Sequence, residues 1–158
     1  MSKYEELRMT MSSLVASEQA YWGKLYKAYH DVHQQFSDFL GLSTESVKDP
    51  EGKARPVIEV GIFDAQKQII QPTPGSSLPK NGRNLSFHIL LNLCTSEDEE
   101  IQATKVVLIK LSRNGDEYYF EVEGLPSKIT CYEIDGRVDM NPFFDDYHSA
   151  LIKQLSIR

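Results

Sequence analysis

Apolar residues near the start of the chain recur in steps of three and four, at Tyr4, Leu7, Met11, Leu14, Tyr21, Leu25, Ala28, Val32 and Phe39. That is the period of one helix face. Trp22, Tyr29 and Phe36 widen the stripe by a row. Ser2 with Glu5 three residues later fits a capping box. Gly41 is a natural stop, with Leu42 placed to fold back on the last turn. The pattern predicts an amphipathic helical segment over residues 1–42.

Its length raises a problem. A helix over residues 3–40 spans about 57 Å at 1.5 Å per residue, whereas a compact domain of this size is roughly 40 Å across. The helix must break, with Gly23 the natural place, or overhang its own domain and pack on another chain. The stripe has no polar end suited to water, which favours a homodimer. Leu7, Met11, Leu14, Tyr21, Trp22 and Leu25 are the dimerisation residues this reading implies.

Residues 43–56 are polar, rich in turn formers and without period, and read as a linker. Over residues 57–135 the period falls to two. Ile58, Val60 and Ile62 alternate with Glu59; Leu85, Phe87, Ile89 and Leu91 alternate with Ser86 and His88; Tyr118, Phe120 and Val122 alternate with Glu117, Tyr119, Glu121 and Glu123. Val106 to Ile109 is apolar throughout, as a central strand would be. Asn114-Gly115 is a hairpin turn. No strand–helix–strand unit occurs, so the strands form an antiparallel meander of about five. Residues 71–84, with three prolines and two glycines, read as a mobile loop. A second helix over residues 141–157 has Asn141 as cap, Pro142 at its first position, and Phe144, Tyr147, His148, Leu151, Ile152 and Leu155 as its buried face. The expected architecture is one α+β domain with both helices on the same sheet face.

Charge narrows the partners. The chain has 158 residues and a net charge of −6, with no basic tract. That argues against nucleic acid, whose phosphates need Lys and Arg. The acidity is concentrated towards the C-terminus, which suits a protein partner with a basic surface. No apolar run approaches the roughly 20 residues of a membrane helix. The two cysteines, Cys94 and Cys131, make no disulfide framework, and a cytoplasmic setting with reduced thiols is expected.

Candidate chemistry is thin. His30 and His33 share a helix side but lack further ligands, so no metal site is implied and the pair reads as solvated or partner-facing. No motif implies a cofactor or a catalytic group. The outward row Glu117, Tyr119, Glu121 and Glu123, joined by His88 and Glu59, forms a candidate partner-binding face; Lys80 and Arg83 give the 71–84 loop a second one. The expected function is a non-enzymatic protein-binding module of adaptor, chaperone or immunity/inhibitor type. The alternative is a small-molecule-binding protein or small enzyme with a pocket between sheet and helix, using His88, Tyr119, Glu121 or His148.

Overall fold

The computed structural model describes residues 1–43 and 45–157. Helix α1 (Lys3–Leu40) is continuous through Gly23, so the break does not occur. Both ends follow from their side chains. The Ser2 hydroxyl accepts from the Glu5 amide at 3.1 Å, and the Ser2 amide donates to the Glu5 carboxylate at 3.4 Å. At the other end Gly41 takes φ 74°, a left-handed conformation that costs glycine nothing. There the Gly41 and Leu42 amides donate to the carbonyls of Asp38 and Ser37.

Ten strands follow. β1 (Ser46–Lys48) and β2 (Ala54–Pro56) pair as a small hairpin inside the segment expected to be linker. Val47, its one apolar member besides Ala54 and Pro56, is buried. The remaining strands are β3 (Ile58–Asp64), β4 (Ile69–Gln71), β5 (Lys80–Asn81), β6 (Asn84–Leu93), β7 (Ala103–Asn114), β8 (Glu117–Val122), β9 (Ile129–Ile134) and β10 (Arg137–Asp139). They form one antiparallel sheet of eight strands, ordered β10-β9-β8-β7-β6-β3-β4 with β5 beside β6. The number exceeds the expected five because β4, β5 and β10 are two or three residues long, too short to alternate visibly.

Register decides which side chains share a face. Phe87 lies opposite Ile109, Leu111 opposite Phe120, and Tyr118 opposite Cys131. All six are buried and form the inner face, joined by Ile58, Leu85, Ile89 and Val107. The second half of α1 packs there through Tyr21, Leu25, Ala28, Tyr29, Val32 and Phe36. Helix α2 (Asn141–Leu155) lies on the same face, its Phe143 stacked on Phe120 and its Phe144 on Phe36. The chain is therefore α+β, with both helices on one side of the sheet.

Two expectations for α2 need correction. Met140 occupies the cap position and the Asn141 amide donates to Asp139, so Asn141 is already helical and Pro142 is one step further in. The buried face is Phe143, Phe144, Tyr147 and Leu151; His148, Ile152 and Leu155 are exposed. Stacking of Phe143 on Phe120 turns the helix and moves His148 out to the edge of Phe39.

The 71–84 segment is also more ordered than a mobile loop. A 3-10 turn at Gly75–Ser77 lies against α1, where a Cβ on Gly75 would come within 2.8 Å of the Tyr26 Cβ. The Tyr29 hydroxyl donates to the Thr73 carbonyl, and His30 Nε2 accepts from the Gly75 amide. Leu78 is buried beneath these contacts. His33 Nε2 lies 3.2 Å from the Ile58 carbonyl oxygen. His30 and His33 thus each fasten α1 to its own chain through one ring nitrogen, while both side chains stay exposed to solvent.

Candidate interaction surface at the helix overhang

Tyr21 is the first buried residue of α1; residues 1–17 are all exposed. This overhang extends about 22 Å beyond the core at 1.5 Å per residue. It leaves seven large apolar side chains in solvent: Met1, Tyr4, Leu7, Met9, Met11, Leu14 and Val15. Of these, Tyr4, Leu7, Met11 and Leu14 follow the 3-4 spacing of a coiled-coil seam. The seam continues into Tyr21, Leu25, Ala28 and Val32, where the chain's own sheet covers it. Glu18 marks the division.

The overhang has little internal support. Thr10, Ser12, Ser13 and Val15 are weak helix formers. Thr10 and Ser12 turn their hydroxyls back to the carbonyls of Glu6 and Arg8, a habit that does not strengthen helices. One exposed ion pair, Lys3–Glu6 at 4.0 Å, contributes little.

At the root of the overhang the hairpin ends of the sheet bring cations onto aromatic rings. Arg83 sits 3.7 Å above the Tyr21 ring and is held by both Glu18 carboxylate oxygens at 2.7 and 2.8 Å. The Tyr21 hydroxyl donates to the Arg83 carbonyl. Lys80 lies over Trp22 and Tyr26, Arg113 flanks Tyr21 and Tyr118, and Lys128 covers Tyr119 at 4.3 Å. Tyr21, Arg83, Arg113, Tyr119 and Lys128 line one open cleft of about 480 Å³. Each cation–π contact at such a site contributes about 0.5–1 kcal/mol. Together they bring four cations to one end of the chain, of which Arg83 is neutralised by Glu18.

The structure divides the sequence-derived candidates. Leu7, Met11 and Leu14 are available for pairing. Tyr21 and Leu25 are not, being buried in the chain's own core, and Trp22 is half-buried under Lys80. Lys80, Arg83 and Tyr119 gather around the overhang root. Glu117, Tyr119, Glu121 and Glu123 do share the outer face with Glu59, as register shows, but the row is not a bare acidic surface. Glu117 accepts from the Tyr119 hydroxyl, Glu121 faces Lys110 across the strands, and Glu59 pairs with Arg55 at 3.1 Å. His88 is half-buried, its Nδ1 accepting from the Phe63 amide at 3.2 Å. Burial pushes its pKa below the usual histidine value, against a weaker pull from Glu123. His88 is thus a neutral structural acceptor, and it does not converge with the exposed His148.

Arg113 and Lys128 were missed by sequence reading. They lie 30 and 45 residues after Arg83, and only strand register brings the three together. Cys131 is buried in the core, which pushes its thiol up to about 12; Cys94 is exposed. Among the described residues no group of three or more His, Cys, Asp and Glu is placed to hold a metal ion, and no helix is long and apolar enough to cross a membrane. Comparison with protein-family models, curated proteins and solved structures finds no match.

Proposed function

We propose that this chain is a non-enzymatic protein-binding module that pairs with a second copy of itself through the overhang. The observation that carries the reading is the uncovered seam of Tyr4, Leu7, Met11 and Leu14. Such a seam is stable in water when a matching helix covers it. A second copy suits it on charge: the overhang carries Lys3 and Arg8 against Glu5 and Glu6, a sum of zero, so self-pairing meets no net repulsion although the whole chain is acidic. The cleft at the root, with Arg83, Arg113 and Lys128, is then the surface offered to a protein partner. With Arg83 neutralised by Glu18, the charges of Arg113 and Lys128 favour an acidic segment over the basic partner suggested by composition. An adaptor, chaperone or inhibitor role in the cytoplasm is consistent with such a module.

Amide hydrogen exchange tests the pairing. At high protein concentration amides 7–16 should be protected well beyond the rate of a free helix, and protection should fall on dilution. Exchange at the free-helix rate at every concentration would remove the basis of the proposal.

A further inference from the structure

A second concavity lies on the other flank of α1, between the helix and the β9–β10 turn. Its volume is about 530 Å³ and its lining is mostly apolar; Ala28, Val138 and Tyr118 line it but are nearly fully buried, and the side chains of Lys24, Lys27 and Arg137 line it with them. That volume is in the range of small-molecule sites, about 300–1,000 Å³.

The charges around it are unevenly matched. Asp31 and Arg137 pair through two bonds, 2.6 and 3.1 Å, and close one end. Burial works to raise the Asp31 pKa, but the bonds from Arg137 and Gln35 outweigh it and hold the carboxyl below its usual value. Glu133 takes the Tyr118 hydroxyl at 3.0 Å and sits 3.6 Å from the Lys24 ammonium. Lys27 remains. Its ammonium donates to the Gly136 carbonyl at 3.0 Å. Asp31 feels the Lys27 charge but gives its oxygens to Arg137 and Gln35. Among the lining residues three cations stand against two carboxylates, with Asp38 pulling on Arg137 from outside the cleft, and Lys27 at the lip has N–H donors that no protein carboxylate takes.

We propose that this cleft binds a small molecule with a flat apolar body and a single anionic group, of the aromatic carboxylate class. The ring system lies along the aliphatic stems of Lys24, Lys27 and Arg137, with the small exposed parts of Ala28, Val138 and Tyr118 behind it, and the carboxylate bonds to Lys27 with Lys24 one turn away. A neutral ligand would gain no charge-assisted bond from Lys27. A cation would meet the Lys27 charge at the lip. The site is separate from the overhang and its root cleft, and it stands or falls independently of self-pairing.

The test is a titration of the full chain with 2-naphthoate, followed by amide chemical shifts, with 2-naphthylmethanol as the neutral counterpart. Naphthoate should give saturable shifts confined to residues 24–31, Tyr118 with its strand neighbours, and 133–138, with a Kd of about 1 mM or tighter, as expected for a ligand of this size. Lys27→Glu should weaken it at least about tenfold, the loss of a charge-assisted bond plus repulsion, and Lys27→Arg should restore most of it. Unchanged shifts elsewhere in the spectrum would show the variants folded. The proposal is overturned by the lack of saturable shifts, by equal affinity for the neutral alcohol, by shifts centred on Arg83 and Arg113, or by a folded Lys27→Glu variant that binds as the parent does.

Discussion

The two halves of α1 carry one continuous apolar stripe yet have opposite fates. From Tyr21 to Phe36 the stripe lies on the inner sheet face and its residues are buried. From Tyr4 to Leu14 the same spacing meets nothing. The stripe alone does not distinguish the halves. The sheet does, because its hairpin ends stop near Tyr21, where Arg83 and Arg113 crowd that ring. Periodicity shows that a face will be covered; the reach of the rest of the fold decides whether the chain itself covers it.

The largest expected contrast is in stability. Phe36→Ala, at a fully buried site stacked on Phe144, should cost about 3–5 kcal/mol. Leu14→Ala, tested in protein dilute enough to be monomeric, should change stability by no more than about 0.5 kcal/mol. Urea unfolding of both variants measures the difference. Equal costs would mean that the overhang packs on its own chain.

Raised pH should act on the core that covers the buried half of α1, through groups on the sheet and on α2. Burial pushes Tyr147 up to about 12, and Tyr118 also to about 12, where its bond to Glu133 adds to burial. Burial pushes the Cys131 thiol to about 12 as well. All three fold in the neutral form, so above the unfolded values the unfolded chain releases protons that the folded chain retains. Stability from these groups is complete well below pH 9.0, where unfolded cysteine is half-ionised, and is lost progressively towards pH 12. Calorimetric Tm values across that range should fall, and Tyr147→Phe should make the fall shallower. An unchanged slope in that variant would show that Tyr147 is not held neutral by the core.

The smallest expected effect lies at the boundary. Gly23 is an exposed glycine inside an unbroken helix, and a Cβ there meets nothing within 4 Å. Gly23→Ala should stabilise the chain by about 0.5–1 kcal/mol, by reducing the freedom of the unfolded state. Destabilisation in the same urea assay would point to a bend at Gly23 that the alanine opposes.

Much of this organisation was legible in the sequence. The Ser2–Glu5 cap, the Gly41 stop and the alternation along Leu85–Leu91 and Tyr118–Val122 are local signals, and local physics decides them. What was missed depends on distant partners. Val138 sits in a three-residue strand with no pattern of its own, and it is β9 beside it that makes it a strand. The 71–84 segment is composed like a loop, but Tyr29 and His30 on α1 supply the bonds that order it. Arg137 meets Asp31 across 106 residues. The overhang was anticipated from length alone, since a helix of 38 residues is too long for a domain of 158. Which residues would be left bare was not, because that depends on where the sheet ends.

The most direct test of the account is the mass of the full chain in solution, measured by sedimentation equilibrium beside a Leu7→Glu, Leu14→Glu double variant. The chain should run at twice its 18.0 kDa, and the variant should be a folded monomer. A parent chain that stays monomeric at high concentration, or a variant that still dimerises, would contradict the claim that the bare half of α1 is an interface with a second copy.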